Sequence, residues 1–249
     1  MNRKQLAIRY SIEFAVIVLG VLISFNIQRN ADLKREKKEI NDSIVTLTEE
    51  IQTNINYCEE HLNQLHNMKT VNDSILKNYY SFSKKDLIEW HNASPFGHSY
   101  LQNGELRYWT KNSDYKNIYL WMITWWNTFA QNEIYFNSLV ASGLLLNIEE
   151  SHIREDIESV FSTMKKRVQV NESLLKQNSD KIFIWAENKR DNSTKSISRE
   201  FIFKNLKDLK LKNLLEDRSF RIELRIMSLK NYLNSLKSLK IKLNEEYNK

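Results

Sequence analysis

The sequence predicts an all-α protein hung from an N-terminal transmembrane helix. Three observations carry this. Tyr10–Ile27 is a near-continuous apolar run, long helical stripes mark both ends of the remaining chain, and 249 residues hold only four glycines and one proline. All-β folds need turn residues at intervals of about 8–12 positions, and this chain lacks them.

The anchor comes first. A helix rises ~1.5 Å per residue and a bilayer core is ~30 Å thick, so Tyr10–Ile27 nearly spans it, with Leu6–Arg9 or Gln28 completing it at the interfaces. No small-residue cleavage site follows the run, and Cys58 is too distant for lipid attachment, so the reading is an uncleaved anchor. Residues 1–9 form a basic tail, 10–27 the anchor and 28–249 one helical extramembrane domain. Glu13 lies one turn inside the span and has two readings, a functional intramembrane acid or oligomer contact and a partner of Arg9 four residues earlier. Gly20 and Ser24 form a small-xxx-small pair that lets two spans approach closely.

Lys and Arg flank both ends of the span. Counting them slightly favours a cytoplasmic domain, whereas a short basic tail before an anchor favours export; the expectation is export. The net charge of +6 is modest for this length, and a single cysteine rules out an internal disulfide framework.

The stalk is expected from Gln28 to about Tyr80. Its stripe is Ile40, Ile44, Leu47, Ile51, Ile55, Cys58, Leu62 and Leu65, which suits a coiled-coil seam or one helix of an antiparallel bundle. Ser83 caps a short helix, Lys84–His91, with Asp86 at its third position. Asn103-Gly104, between 99–102 and 105–108, signals a two-residue hairpin, the one place a strand is expected.

Residues 115–142 are the most aromatic stretch and are read as one buried central helix. The functional alternative is an aromatic-lined pocket built from Trp121, Trp125, Trp126 and Phe129. Ser142-Gly143 reads as a helix stop, and Asn147 with Glu150 as the cap of a helix running to about Lys189. A loop over 191–198 and a short helix, 198–209, lead to the last helix from about Asp217 to Tyr247. Its stripe is Ile222, Ile226, Leu229, Leu233, Leu236, Leu239 (or Lys240) and Leu243. The first and last helices are expected to pair antiparallel, returning the C-terminus toward the membrane.

Two pieces taken together resemble a known family. They are the span EFAVIVLGVLISFNI followed by a charged helix, and NEIYFNSLVASGLLLNIEESHIREDIESVF over residues 132–161. The combination is similar to single-span membrane proteins of Bacteroidota that pair a glutamate-bearing anchor with a mostly helical domain. The resemblance implies an envelope protein and supplies no activity or catalytic residue.

Little in the chain points to catalysis. Glu149-x-x-His152 is half of a di-iron bundle motif, without its second half. No phosphate-binding glycine loop or nucleophile elbow occurs. Cys58 on the apolar stripe reads as an inert buried thiol. Arg221, Arg225, Lys230, Lys237, Lys240 and Lys242 read as the solvated face of the last helix. The expectation is therefore a non-enzymatic, membrane-anchored scaffold or sensor in the bacterial inner membrane, with its domain in the periplasm. Its expected partners are the lipid bilayer, further copies of itself and an unidentified protein; no metal, cofactor or nucleic acid is expected. The alternative is a membrane-embedded effector or ion-conducting oligomer that uses Glu13.

Overall fold

A computed structural model describes the backbone of residues 3–97, 99–102, 105–108 and 118–247, and the side chains of 13–97 and 118–247. The fold is all-α, with one small hairpin. α1 (Arg3–Lys77) is a single helix of 75 residues, about 110 Å long. It carries the apolar run and the stalk without a break. From Ile40 onward its buried positions alternate by four and three: Ile40, Ile44, Leu47, Ile51, Asn54, Cys58, His61, Leu65, Met68, Asn72 and Ile75.

α8 (Leu209–Tyr247) covers that stripe. Asn72 meets Leu215, Met68 meets Arg218, His61 meets Arg225 and Glu59 meets Lys237, so numbering rises on one helix as it falls on the other. The expected antiparallel pairing is present, and Tyr247 lies beside the start of the stalk. α8 begins eight residues before the expected Asp217, because Asp208 accepts the Leu211 N–H at 3.0 Å and starts the helix there. Leu211 and Leu215 then continue the stripe into the core.

α2 (Lys84–Ala93) starts at the capping box formed by Ser83 and Asp86. β1 (Ser99–Gln102) and β2 (Glu105–Tyr108) pair antiparallel with Gln102 opposite Glu105. The Asn103-Gly104 turn expected between them lies outside the described residues. α3 (Ile118–Thr124) and α4 (Ile134–Ala141) flank a non-helical stretch, 125–133, so the aromatic region is not one helix.

Gly143, at φ 76°, ends α4 as expected and leads into a 3-10 turn, Leu144–Asn147. Asn147 does not cap the next helix. Its side-chain amide donates to Glu36 on α1 at 2.7 Å, and α5 (Ser151–Glu158) starts after Glu150. A π-helical segment, Ser159–Met164, joins α5 to α6 (Lys165–Asp191). Ser198 caps the short α7 (Arg199–Asn205). α6 packs along α8 and completes the bundle.

Candidate functional site

Glu13, Gly20 and Ser24 follow one another at intervals of seven and four and so share one face of α1. Gly20 and Ser24, with Ile17, Val21, Phe25 and Gln28, line a shallow groove of about 330 Å³. A Cβ placed on Gly20 would meet nothing within 4 Å. Every large apolar side chain from Phe14 to Ile27 is exposed, by 38% at Val18 and 69% at Phe25. This segment of α1 is long and apolar enough to cross a membrane, and none of it is buried within the protein.

The aromatic residues lie along the 125–133 stretch and at its entrance. Trp121 stacks on Phe96 with an interplanar angle of 9° and meets His91 edge-on at 5.0 Å. Trp121, Trp125 and Trp126 follow at centroid separations of 6.1 and 6.5 Å. Phe129 is buried apart from them, edge-on to Tyr232 and His61. The three tryptophans therefore form a packed strip, and Phe129 belongs to a separate cluster with Tyr57, His61 and Tyr232.

The physical problem here is the backbone. A buried non-helical segment exposes N–H and C=O groups that must find partners. Side chains of α1 and α8 supply them. Asn54 accepts the Asn132 N–H at 3.1 Å and donates to the Asn132 carbonyl at 2.7 Å. The Tyr57 hydroxyl accepts the Ala130 N–H at 2.8 Å. Tyr232 donates to the Gln131 side chain at 2.6 Å. The guanidinium of Arg218 donates to the Trp125 carbonyl, and that of Arg225 to the Trp126 and Asn127 carbonyls. Asn127 takes φ 55°, a left-handed conformation that asparagine tolerates better than most residues.

Arg225 does not belong to the solvated face of α8. Both it and Arg218 have 0% exposure. Burial lowers their pKa values, to about 9 for Arg218 and about 10 for Arg225, so both remain cations at neutral pH. Arg218 also donates to the Ser179 hydroxyl at 2.8 Å, and Arg225 to His61 Nε2 at 3.0 Å. Since arginine can only donate, His61 Nε2 is the acceptor and the ring is neutral.

Burial, with Arg225 second, pushes the His61 pKa down to about 3; burial also lowers that of His91. The unfolded chain therefore binds more protons between pH 6.5 and about 3, and stability present above pH 6.5 is lost as pH falls toward 3. The urea midpoint should drop from pH 7 to pH 5.5, with His61 contributing about 1 kcal/mol. A midpoint that rises on acidification would contradict the buried neutral histidine.

Glu50, 2% exposed, reaches from α1 to the start of α4 and accepts the Tyr135 and Phe136 N–H groups at 2.8 and 3.1 Å. It caps a neighbouring helix and complements its dipole. Glu50→Ala should cost about 1–3 kcal/mol in urea denaturation, and Glu50→Gln less. Equal losses in both variants would show that the charge is irrelevant.

Cys58 is buried, and burial raises its thiol pKa to about 12. Among the described residues no three His, Cys, Asp or Glu side chains are placed to hold a metal ion. Glu149 and His152 lie at the α5 start, where Glu149 lines a cavity shared with Leu33, Lys34, Lys37 and Tyr247. Lys237, Lys240 and Lys242 bond to Glu59, Gln52 and Asp156, which ties part of the α8 basic face into the fold. Comparison with protein-family models, with curated proteins and with solved structures returns no match, so the functional reading rests on this chain's own residues.

Proposed function

We propose that the chain is a non-enzymatic, membrane-anchored scaffold or sensor of the bacterial envelope, held by the helix over 10–27 and oligomeric through that helix. The observation that carries this is the apolar segment of α1 from Phe14 to Ile27, none of it buried, which runs unbroken into a packed helical domain. Exposure of so much contiguous apolar surface is unfavourable in water and favourable in lipid. The groove at Gly20 and Ser24 suits close approach of a second span. The short basic tail before the anchor supports a periplasmic domain, and the resemblance to anchored proteins of Bacteroidota implies the envelope.

Light scattering in detergent tests the oligomer. The expected protein mass is a multiple of 29.8 kDa, and a monomer would remove this part of the reading. Gly20→Leu fills the groove without touching the rest of the chain. It should shift the population toward monomer while leaving the melting temperature unchanged. A second reading, an ion-conducting oligomer, draws on Glu13 sharing a face with Gly20 and Ser24. It requires Glu13→Gln to abolish conductance in planar bilayers while assembly persists.

A further inference from the structure

α8 carries two seams. The core seam includes Leu215, Arg218, Ile222, Arg225 and Leu229. Two positions further on, about 200° round the helix, a second series advances by the same alternation of four and three on the solvent side. It starts at Phe220, Leu224 and Met227, passes Asn231, Asn234 and Ser238, and ends at Ile241. Phe220, Met227 and Ile241 stand at heptad spacings and are 57%, 56% and 58% exposed. Val170 of α6, 51% exposed, joins Leu224 and Met227 along a groove of about 650 Å³ and widens the apolar surface. Scattered apolar residues on a surface are ordinary, but this series has the period of a seam that a second helix covers.

Charge selects the covering helix and its direction. In a parallel, in-register pair of such seams, Glu216 of one copy lies beside Arg221 of the second copy, an attractive flanking pair. Within its own chain Glu216 meets only Lys212, at 3.9 Å. Lys237 then faces Lys242, but Glu59 and Asp156 of the same chain already neutralise them. Asn231 and Asn234 face their own counterparts, and a side chain that both donates and accepts can pair with itself across a twofold axis. An antiparallel pair that sets Phe220 against Ile241 instead brings Arg221 beside Lys240 and Glu216 beside Glu245. The membrane imposes the same choice. Two copies anchored in one bilayer, with both domains on one side, are related by an axis along the bilayer normal. α1 continues the anchor and α8 runs antiparallel to it, so the two α8 helices run parallel to each other.

We propose that the outer seam of α8 pairs with α8 of a second copy, parallel and in register. The inference rests on the membrane-anchored reading above and adds an interface outside the lipid. This interface is distinct from the span groove. Gly20 and Ile40 are about 200° apart round α1, so the groove faces away from the bundle, whereas the seam lies on the far side of α8 from α1. A copy joined to another at Gly20 keeps its α8 seam open to a third. Span contacts and α8 contacts thus alternate and set the copies in rows. Asn231, Asn234 and Ser238 make the seam too polar to hold copies together in dilute detergent. Confinement to one membrane raises their effective concentration and stabilises the contact.

The test is disulfide cross-linking of the full chain in membranes of cells that express it, with copper phenanthroline as oxidant and dimer read on non-reducing gels. Cys58 is buried and the chain has no other cysteine, so the background is low. Ser238→Cys places a thiol on the seam, where a parallel, in-register pair brings it to disulfide distance of its counterpart; the antiparallel pair holds the two roughly 20 Å apart. Dimer should form at least about tenfold faster than in Asn188→Cys, at an exposed position of α6 away from the seam. Adding Met227→Glu, which sets two like charges face to face, should bring the Ser238→Cys rate down to that control, with helical circular dichroism retained. A Ser238→Cys rate no greater than the control, or one untouched by Met227→Glu, overturns the inference. Fractionation of the same cells separates the two readings. A chain that sits in the membrane fraction without the Ser238→Cys cross-link loses only the seam, whereas one found in the soluble fraction loses the anchor and the seam together.

Discussion

Arg225→Ala should lower the stability of the helical domain by about 3–5 kcal/mol, the range for breaking a buried charge-assisted network by removing one partner. The guanidinium is fully buried and holds the Trp126 and Asn127 carbonyls and His61 at once. Alanine leaves two main-chain acceptors and one imidazole nitrogen without a donor, together with the volume of the lost side chain. Urea denaturation followed by tryptophan fluorescence is suited to it, because Trp125 and Trp126 border the site. Lys230→Ala, on the exposed side of the same helix, should change stability by no more than about 0.5 kcal/mol. Equal effects of the two substitutions would place Arg225 back on the surface.

Gly97→Ala should cost about 2–4 kcal/mol, from a strained backbone and an overpacked ring together. Gly97 has φ 98°, outside the range that L side chains adopt readily, and its added Cβ would overlap the Trp121 indole. The indole has little freedom to retreat. It stacks on Phe96 and meets His91, whose Nε2 is 2.7 Å from the Phe96 carbonyl. Differential scanning calorimetry of the full chain reads the loss, and an unchanged melting temperature would mean that the Trp121 face is loosely packed.

The helices were legible because apolar residues repeat at three and four with few breakers, as at Ile44, Leu47, Ile51 and Cys58. The Ser83 cap, the Gly143 stop and the antiparallel pairing of α1 with α8 follow from the same local chemistry. The interior polar network was not legible by that route, because apolar periodicity passes over polar residues at core positions. On α8 the sequence pattern offers Ile222, Ile226 and Leu229, whereas the buried series is Leu215, Arg218, Ile222, Arg225 and Leu229. Extending the four-three alternation back from Leu229 does land on both arginines. On α1 the same alternation includes Asn54, His61 and Asn72, all buried.

These polar positions make sense only with the 125–133 stretch, which brings the carbonyls they serve. Nothing local stops the helix at Thr124, since the run WMITWW contains no proline or glycine. The break is a tertiary effect, stabilised by Arg218, Arg225, Asn54 and Tyr57 from elsewhere in the chain. The cap at Glu50 is hidden for the same reason, because its partners lie 85 and 86 residues away.

Carbonate extraction of membranes from cells expressing the full chain bears most directly on the central claim, that residues 10–27 anchor a helical domain in lipid. The account predicts that the chain stays in the membrane pellet at high pH, and that Leu19→Lys with Ile23→Lys moves it to the supernatant. Two lysines at the centre of a span are costly to insert, by about 3 kcal/mol each. A full chain released into the supernatant, or a double-lysine variant that stays in the pellet, would contradict the anchor.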